Sequence, residues 1–375
     1  MRRIKHPSIL LNVFLPIIVA IIFLYTYQRN KRNAEEIGLG ESTFIYTPYV
    51  NNYPIHINNI SLADSMKRGW ELNGSKLLSL WFGNSQVHGI NQYKDGQQNC
   101  IQFCYDYLQP ANKTILGISY PNANLQEILL SVLFFTNKFP QAKTIIVPVF
   151  YDDMREDGIR NDLKSDEMRK FFSLSPWKQF YENIPSIASL AHIDSAQKNG
   201  DMKALHETAQ EASEKFLDSC LYKYWSLWTK RSAIRANIFN DLYILRNTSL
   251  GIKANTIRKM IPGRFKDNYN AFLNLVAYGK SANLHILIYI PPLRNDVTPP
   301  FNMEEYEAFK QTVEHDATLA GAKFLMLENL VPPRYWGAKP STSMGKGQEI
   351  DFMHFQQEGH RMIGDTISKT LLNSE

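Results

Sequence analysis

Cysteine is scarce in this chain, with three in 375 residues, and that excludes a fold stapled by a disulfide framework. Cys100 and Cys104 are close enough in sequence to pair, Cys220 would then stand alone, and ordinary packing accounts for all three. Also missing are an HExxH pattern and a Cys/His cluster with metal-ligand spacing. A metal set drawn from Asp351, His354, His360 and Asp365 has no such spacing behind it, and no cofactor is expected. The formal net charge of +5 is small for the length, and no compact basic motif interleaved with aromatics is present, so nucleic acid is not the expected partner. No internal repeat or long low-complexity tract is found. Gly345-Lys346, within the loop Gly337–Gly347, lacks the order and the following helix of a phosphate-binding loop. Long hydrophobic runs are absent except at one end. Pro7 to Tyr27 carries no charge and would span roughly 31 Å as a helix, enough to cross a bilayer core. The run exceeds the ~7–15 apolar residues of a cleaved signal peptide and no small-x-small site follows, so an uncleaved membrane anchor is expected. Basic residues flank it on both sides. Glu35 and Glu36 tip the balance towards a cytoplasmic N-terminus and an extracytoplasmic remainder.

What is present is a globular composition, 44% hydrophobic and 21% charged, with a sizeable core. The chain is organised around Leu77 to Asn91. Leu77, Leu78, Leu80, Trp81 and Phe82 form an unbroken apolar strand of the kind buried on both faces in a parallel sheet, and it stops at Gly83 to present Ser85. Lys113–Ser119, Lys143–Tyr151, Leu284–Ile290 and Lys323–Leu327 read as further buried strands. Leu125–Phe139 and Met303–Ala320 carry apolar residues at helical spacing, and Asn99–Tyr107 fits either a short helix or a strand. Strands alternating with helices predict βαβ units and a parallel sheet, whose carboxyl rim, where ligands bind, would hold Ser85. A serine nucleophile needs a base. Asp351-Phe352-Met353-His354, on a loop or first helical turn before a helix-like run to Leu372, supplies an imidazole with an aspartate three residues earlier to hold it.

Gly83-Asn84-Ser85 together with the late Asp351-x-x-His354 resembles the first and last blocks of the SGNH/GDSL hydrolase superfamily. The likeness spans roughly residues 75–155 and 283–372. It implies an α/β fold, a flavodoxin-like three-layer α/β/α sandwich, with Ser85 as nucleophile, His354 as general base and Asp351 as its orienting partner. In the family the oxyanion hole is built from the nucleophile's N–H, a backbone N–H after the second strand and an asparagine side chain after the third. Here Gly117 lies three residues early, which leaves Tyr120 at the second position. The third block reads Tyr151-Asp152-Asp153 with no asparagine, so Asn122 and Asn124 are the substitutes. Asn84 stands where the family has aspartate. His88, just after the nucleophile turn, reads as a helix start or rim contact. Arg294, after the fourth strand, is a candidate for an anionic substrate or for a surface ion pair.

The expected organisation is a membrane anchor over 1–32, a tether and entry segment over 33–76, a catalytic domain over 77–157 and 282–375, and a helical insertion or cap over 158–281. The last contains Trp177, Tyr224, Trp225 and Trp228, and its basic stretch Trp225–Arg246 fits packing on the main domain or a membrane surface. The anchor joined to this domain resembles the D-alanyl transfer and alginate-type O-acetylation proteins. That resemblance implies a serine esterase or O-acyltransferase on a cell-surface polysaccharide or similar acylated carbohydrate, beside a membrane-bound O-acyltransferase. The alternative is an inactive scaffold or polysaccharide-binding partner.

Overall fold

A computed structural model of the chain describes residues 43–74, 77–188, 255–340 and 348–373, with scattered positions between 242 and 253. Nearly all of these belong to one compact unit within Ser42–Met202, Lys253–Ser341 and Lys346–Glu375. Six parallel strands form its sheet: β1 (His56–Ile57), β2 (Leu77–Gly83), β3 (Lys113–Ser119), β4 (Ala142–Pro148), β5 (His285–Ile290) and β6 (Lys323–Met326). They lie in the order β6-β5-β4-β2-β3-β1. Without the short edge strand β1 this is the flavodoxin-like order, which reverses direction at β2 and opens a crevice beyond the carboxyl ends of β2 and β4.

Helices cover both faces. They are α1 (Ala63–Leu72), α2 (Cys100–Leu108), α3 (Leu125–Lys138), α4 (Pro262–Ser281), α5 (Met303–Leu319) and α6 (Gln357–Leu372). Phe82 meets Phe135 of α3, whereas Gly117, in register with its neighbour Trp81, faces Ile101 of α2. Consecutive strand residues point to opposite faces, so α2 and α3 lie on opposite sides of the sheet. Helix α6 joins α2, where Gly364 sits against the Cys100 carbonyl, and α4 packs on α3. Tyr269 of α4 bonds Asp316 of α5. Asn124 caps α3 through a full capping box with Glu127, and Asn99 caps α2 by accepting from Gln102 N–H. The ambiguous segment after Asn99 is thereby a helix. Leu80, Trp81, Ile145, Ile146 and Ile288 are fully buried at the centre of the sheet, each side chain contributing about 1.5–3 kcal/mol by leaving water.

Three boundaries differ from expectation. Residues 43–59, expected as tether and irregular structure, enter the domain: Thr43–Ile45 pairs antiparallel with Gly89–Asn91, and His56–Ile57 adds to the sheet beside β3, while the helix-like reading of Ser61–Trp70 corresponds to α1. Pro262–Ser281, assigned by sequence to the insertion, is the crossover helix α4 between β4 and β5, with Pro262 in its first turn. Its polar residues on the outer side blurred the apolar stripe. Asp351 and His354 lie in a strand, Gln348–Phe355, paired antiparallel with Trp336–Pro340, not on a loop or helical turn. Trp177 packs edge-on against Tyr278 of α4. The anchor run Pro7–Tyr27, Cys220 and nearly all of Trp225–Arg246 lie outside the described residues. Among the described residues no helix is long and apolar enough to cross a membrane. Cys100 and Cys104 are free and buried on α2.

Candidate active site

β2 ends at Gly83 because the next turn folds back onto the strand: a Cβ there would lie 2.5 Å from Val87 Cγ2. Asn84 then caps the four-residue turn Ser85–His88, its side-chain oxygen accepting from Gln86 N–H at 3.0 Å. Ser85 stands at the first position of that turn, 3% exposed, at the crevice where the strand order reverses.

The hairpin strand brings the base to it. His354 Nε2 is 3.0 Å from Ser85 Oγ, and His354 Nδ1 is 3.0 Å from Asp351 Oδ2. Asp351 is 2% exposed and accepts the backbone N–H groups of Met353 and His354 at 2.8 and 3.0 Å through Oδ1. Burial alone would raise its carboxyl, but the charge and hydrogen bond of His354 and the two backbone donors bring it down to about 2. An ionised Asp351 fixes the Nδ1–H tautomer of His354, leaving Nε2 to accept the Ser85 proton. The three residues named from sequence therefore meet in one hydrogen-bonded relay.

The oxyanion candidates fare differently. Gly117 N–H is spent in the sheet on Ile55 O at 2.9 Å, and Tyr120 N–H goes to Gly83 O at 3.1 Å. Asn124 is the cap of α3 and donates to Gly158 O at 2.7 Å. Asn122 is exposed, in a left-handed turn with φ 51°. Gly117 and Tyr120 N–H are therefore already engaged within the fold, which the sequence alone does not reveal. Arg294 pairs with Asp296 through two bonds of 2.7 and 3.0 Å and donates to Gly337 O, so its charge is met by a carboxylate and not held open for substrate. His360 bonds Gly89 O and Cys100 N–H, and Asp365 pairs with Arg361, so neither joins Asp351 and His354 as a ligand set.

Several residues were missed by sequence reasoning. Asn84 Nδ2 donates to both oxygens of Asp153, at 2.9 and 3.0 Å, which couples the nucleophile turn to the third block. Burial pushes the Asp153 carboxyl well up, aided by nearby Asp152, Glu156 and Glu127 and only partly opposed by Asn84. Gln86 donates to Pro292 O and Met353 O, both at 2.9 Å, tying the serine turn to the loop after β5 and to the histidine's strand. Replacing it, Gln86→Ala, leaves two carbonyls without that donor. The expected cost is about 1–3 kcal/mol in urea unfolding. Loosening the serine from its base should also lower ester turnover by about tenfold to a hundredfold, and wild-type turnover in the variant would contradict this.

His88 also exceeds its expected role as a rim contact. Its Nδ1 is 2.6 Å from Ser119 Oγ, which is 2.7 Å from His56 Nε2, while Asn99 Nδ2 donates to His56 Nδ1 at 3.0 Å. Two cavities lie elsewhere, one beside Tyr53, Trp70 and Tyr105 and one beside Thr144, His285 and Lys323 at the amino ends of β4, β5 and β6; neither includes a triad residue.

Fold and site together define a serine-triad protein on a flavodoxin-like sheet. Among solved structures the chain is similar to Axe2, an acetylxylan esterase from Geobacillus stearothermophilus, at 9% identity over 78% of this chain and 93% of that one, with a TM-score of 0.37. LAE5, an α/β hydrolase enzyme from the metagenome of Lake Arreo, matches at 9% identity over 80% and 97%, with a TM-score of 0.35. A GDSL-like lipase from Bacteroides thetaiotaomicron matches at 9% over 82% and 98%, with a TM-score of 0.34. No family model and no curated protein sequence matches the chain. At these similarities the chemistry rests on the site's own geometry.

Proposed function

We propose that this protein is a serine esterase or O-acyltransferase that carries an acyl group on Ser85. The observation that supports it is the continuous relay from Ser85 Oγ through His354 to Asp351, each link 3.0 Å. His354 Nε2 takes the hydroxyl proton as Oγ attacks the ester carbonyl, and Asp351 stabilises the imidazolium. Collapse of the tetrahedral intermediate breaks the ester C–O bond, the departing alcohol takes the proton from His354, and acyl-Ser85 remains. An acceptor hydroxyl then loses its proton to His354, attacks the acyl carbon and releases the serine. Water as acceptor gives hydrolysis and a sugar hydroxyl gives transfer.

The oxyanion must be met by donors, and the N–H of Ser85, at the first position of its turn, is the one this reading assigns. Burial pushes the Asp153 carboxyl well up, and Asn84 holds both of its oxygens, so the group is engaged with the nucleophile turn. The apolar run Pro7–Tyr27 supports a membrane-anchored, extracytoplasmic placement, and with it a cell-surface carbohydrate acceptor and a membrane-bound O-acyltransferase as donor. The test is incubation of the full chain with acetyl and longer acyl p-nitrophenyl esters, with and without an oligosaccharide acceptor, followed by intact mass. One acyl group on Ser85 that is discharged faster by the oligosaccharide supports transfer. Discharge unaffected by it supports a plain esterase, and a folded chain that never acylates overturns the reading.

A further inference from the structure

Asn91 lies six residues beyond the nucleophile, on the short strand Gly89–Asn91, and is fully buried. Its Nδ2 is 3.0 Å from Asp351 Oδ2, the same oxygen that faces His354 Nδ1. It also reaches Ala338 O at 3.1 Å and Thr43 Oγ1 at 3.2 Å. One amide thus touches the catalytic aspartate, the strand paired with the aspartate's own strand, and the N-terminal strand beside the serine turn. The side chain is closely packed: any Cβ at Gly337 would overlap the Asn91 amide. Asp351 Oδ1 is already held by two backbone donors, so Asn91 is the side chain besides His354 that meets the second oxygen.

We propose that Asn91 is a positioning residue of the relay, acting through Asp351 to aim Oδ2 at His354 and to temper the charge that His354 feels. The inference rests on the acyl-transfer reading for its kinetic consequence but not for its electrostatic one. A carboxylate that loses an N–H donor presents more negative charge to the imidazole, which favours imidazolium. The titratable groups facing His354 are few. Asp351 is on its own strand, His88 on the serine turn and His360 on α6, and burial holds both of those imidazoles far below their ordinary value. Farther along the hairpin Lys339 faces Glu349 in register, and at the start of α6 Glu358 pairs with Arg361.

The experiment is ¹H–¹⁵N spectroscopy of the full chain carrying ¹⁵N-labelled histidine, with the His354 ring signals assigned by their loss in His354→Ala. In Asn91→Ala the His354 Nδ1–H resonance, which reports the hydrogen bond to Asp351 Oδ2, should shift relative to wild type at the same pH. The kcat for p-nitrophenyl acetate should fall about tenfold to a hundredfold with little change in KM. Asn91→Ser, which keeps a small polar side chain, carries the same expectation should Asn91→Ala not fold. A His354 resonance that stays put, in a variant with the wild-type circular dichroism spectrum, overturns the inference. A His354 resonance that responds to Asn91 in a protein that turns over no ester overturns the acyl-transfer reading and leaves the positioning role standing.

Discussion

Ser85→Ala and His354→Ala should each lower hydrolysis of an activated acetyl ester by about three orders of magnitude or more while leaving the fold intact. The size follows from interdependence: serine, histidine and aspartate act as a unit, so loss of either reacting member removes nearly all of the catalysis they supply. The fold is expected to survive because Ser85 contributes one hydroxyl, and because the Ser85–His88 turn is also held by Asn84, by Gln86 and by His88 on Ser119. Matched unfolding curves with collapsed turnover separate a chemical role from a structural one. Turnover in Ser85→Ala within tenfold of wild type would show that the serine is a turn residue.

Acid should unfold this domain steeply, starting below about pH 6.5. The cause is a set of buried neutral imidazoles close to the Ser85–His354 pair. Asn99 Oδ1 accepts from Gln102 N–H, so its Nδ2 must be the group that donates to His56 Nδ1. His56 then carries its proton on Nε2 and gives it to Ser119 Oγ, whose own hydroxyl points to His88 Nδ1. His360 is fixed likewise, accepting Cys100 N–H on Nδ1 and donating to Gly89 O from Nε2. In His56 and His360 the nitrogen that would take a second proton already faces an N–H.

Burial, with the neighbouring histidine charges, lowers His56 and His360 to about 3 and His88 well below its ordinary value. Each folded-state value is depressed relative to about 6.5 in the unfolded chain, so between those values the unfolded state binds more protons. Stability is therefore full above about pH 6.5 and is lost as the pH falls, by about 1.4 kcal/mol per unit for each histidine. Three such groups would consume a typical margin of about 5–15 kcal/mol within a few pH units. Urea midpoints measured from pH 7.5 to 4 should show this slope, and His56→Gln should flatten it. A wild type equally stable at pH 7.5 and 4.5 would contradict the arrangement.

Both expectations depend on features that differ in how far the sequence discloses them. The strands β2 and β3 and the helix α3 were legible to within a residue, because unbroken apolar runs and apolar residues at helical spacing are local signals. Ser85, Asp351 and His354 were legible because their order along the chain joins two short motifs that separately carry little information. His56–Ile57 was not, since two residues carry no periodicity and the pairing exists only once β3 is beside them. Gln348–Phe355 begins with polar residues and follows a glycine-rich stretch, so hairpin pairing with Trp336–Pro340 was hidden. Asn91 and Gln86 are ordinary polar residues in sequence. Their roles come from partners more than two hundred residues away, at Asp351, Pro292 and Met353. Gly117 and Tyr120 teach the same point, because a backbone N–H already bonded within the fold is not free to serve chemistry.

The most direct test of an activated Ser85 is labelling of the full chain by a serine-directed fluorophosphonate, with the modified peptide located by mass spectrometry. The account predicts one adduct, on Ser85, absent in His354→Ala. A folded wild type that takes no label, or takes it on another serine, would contradict it.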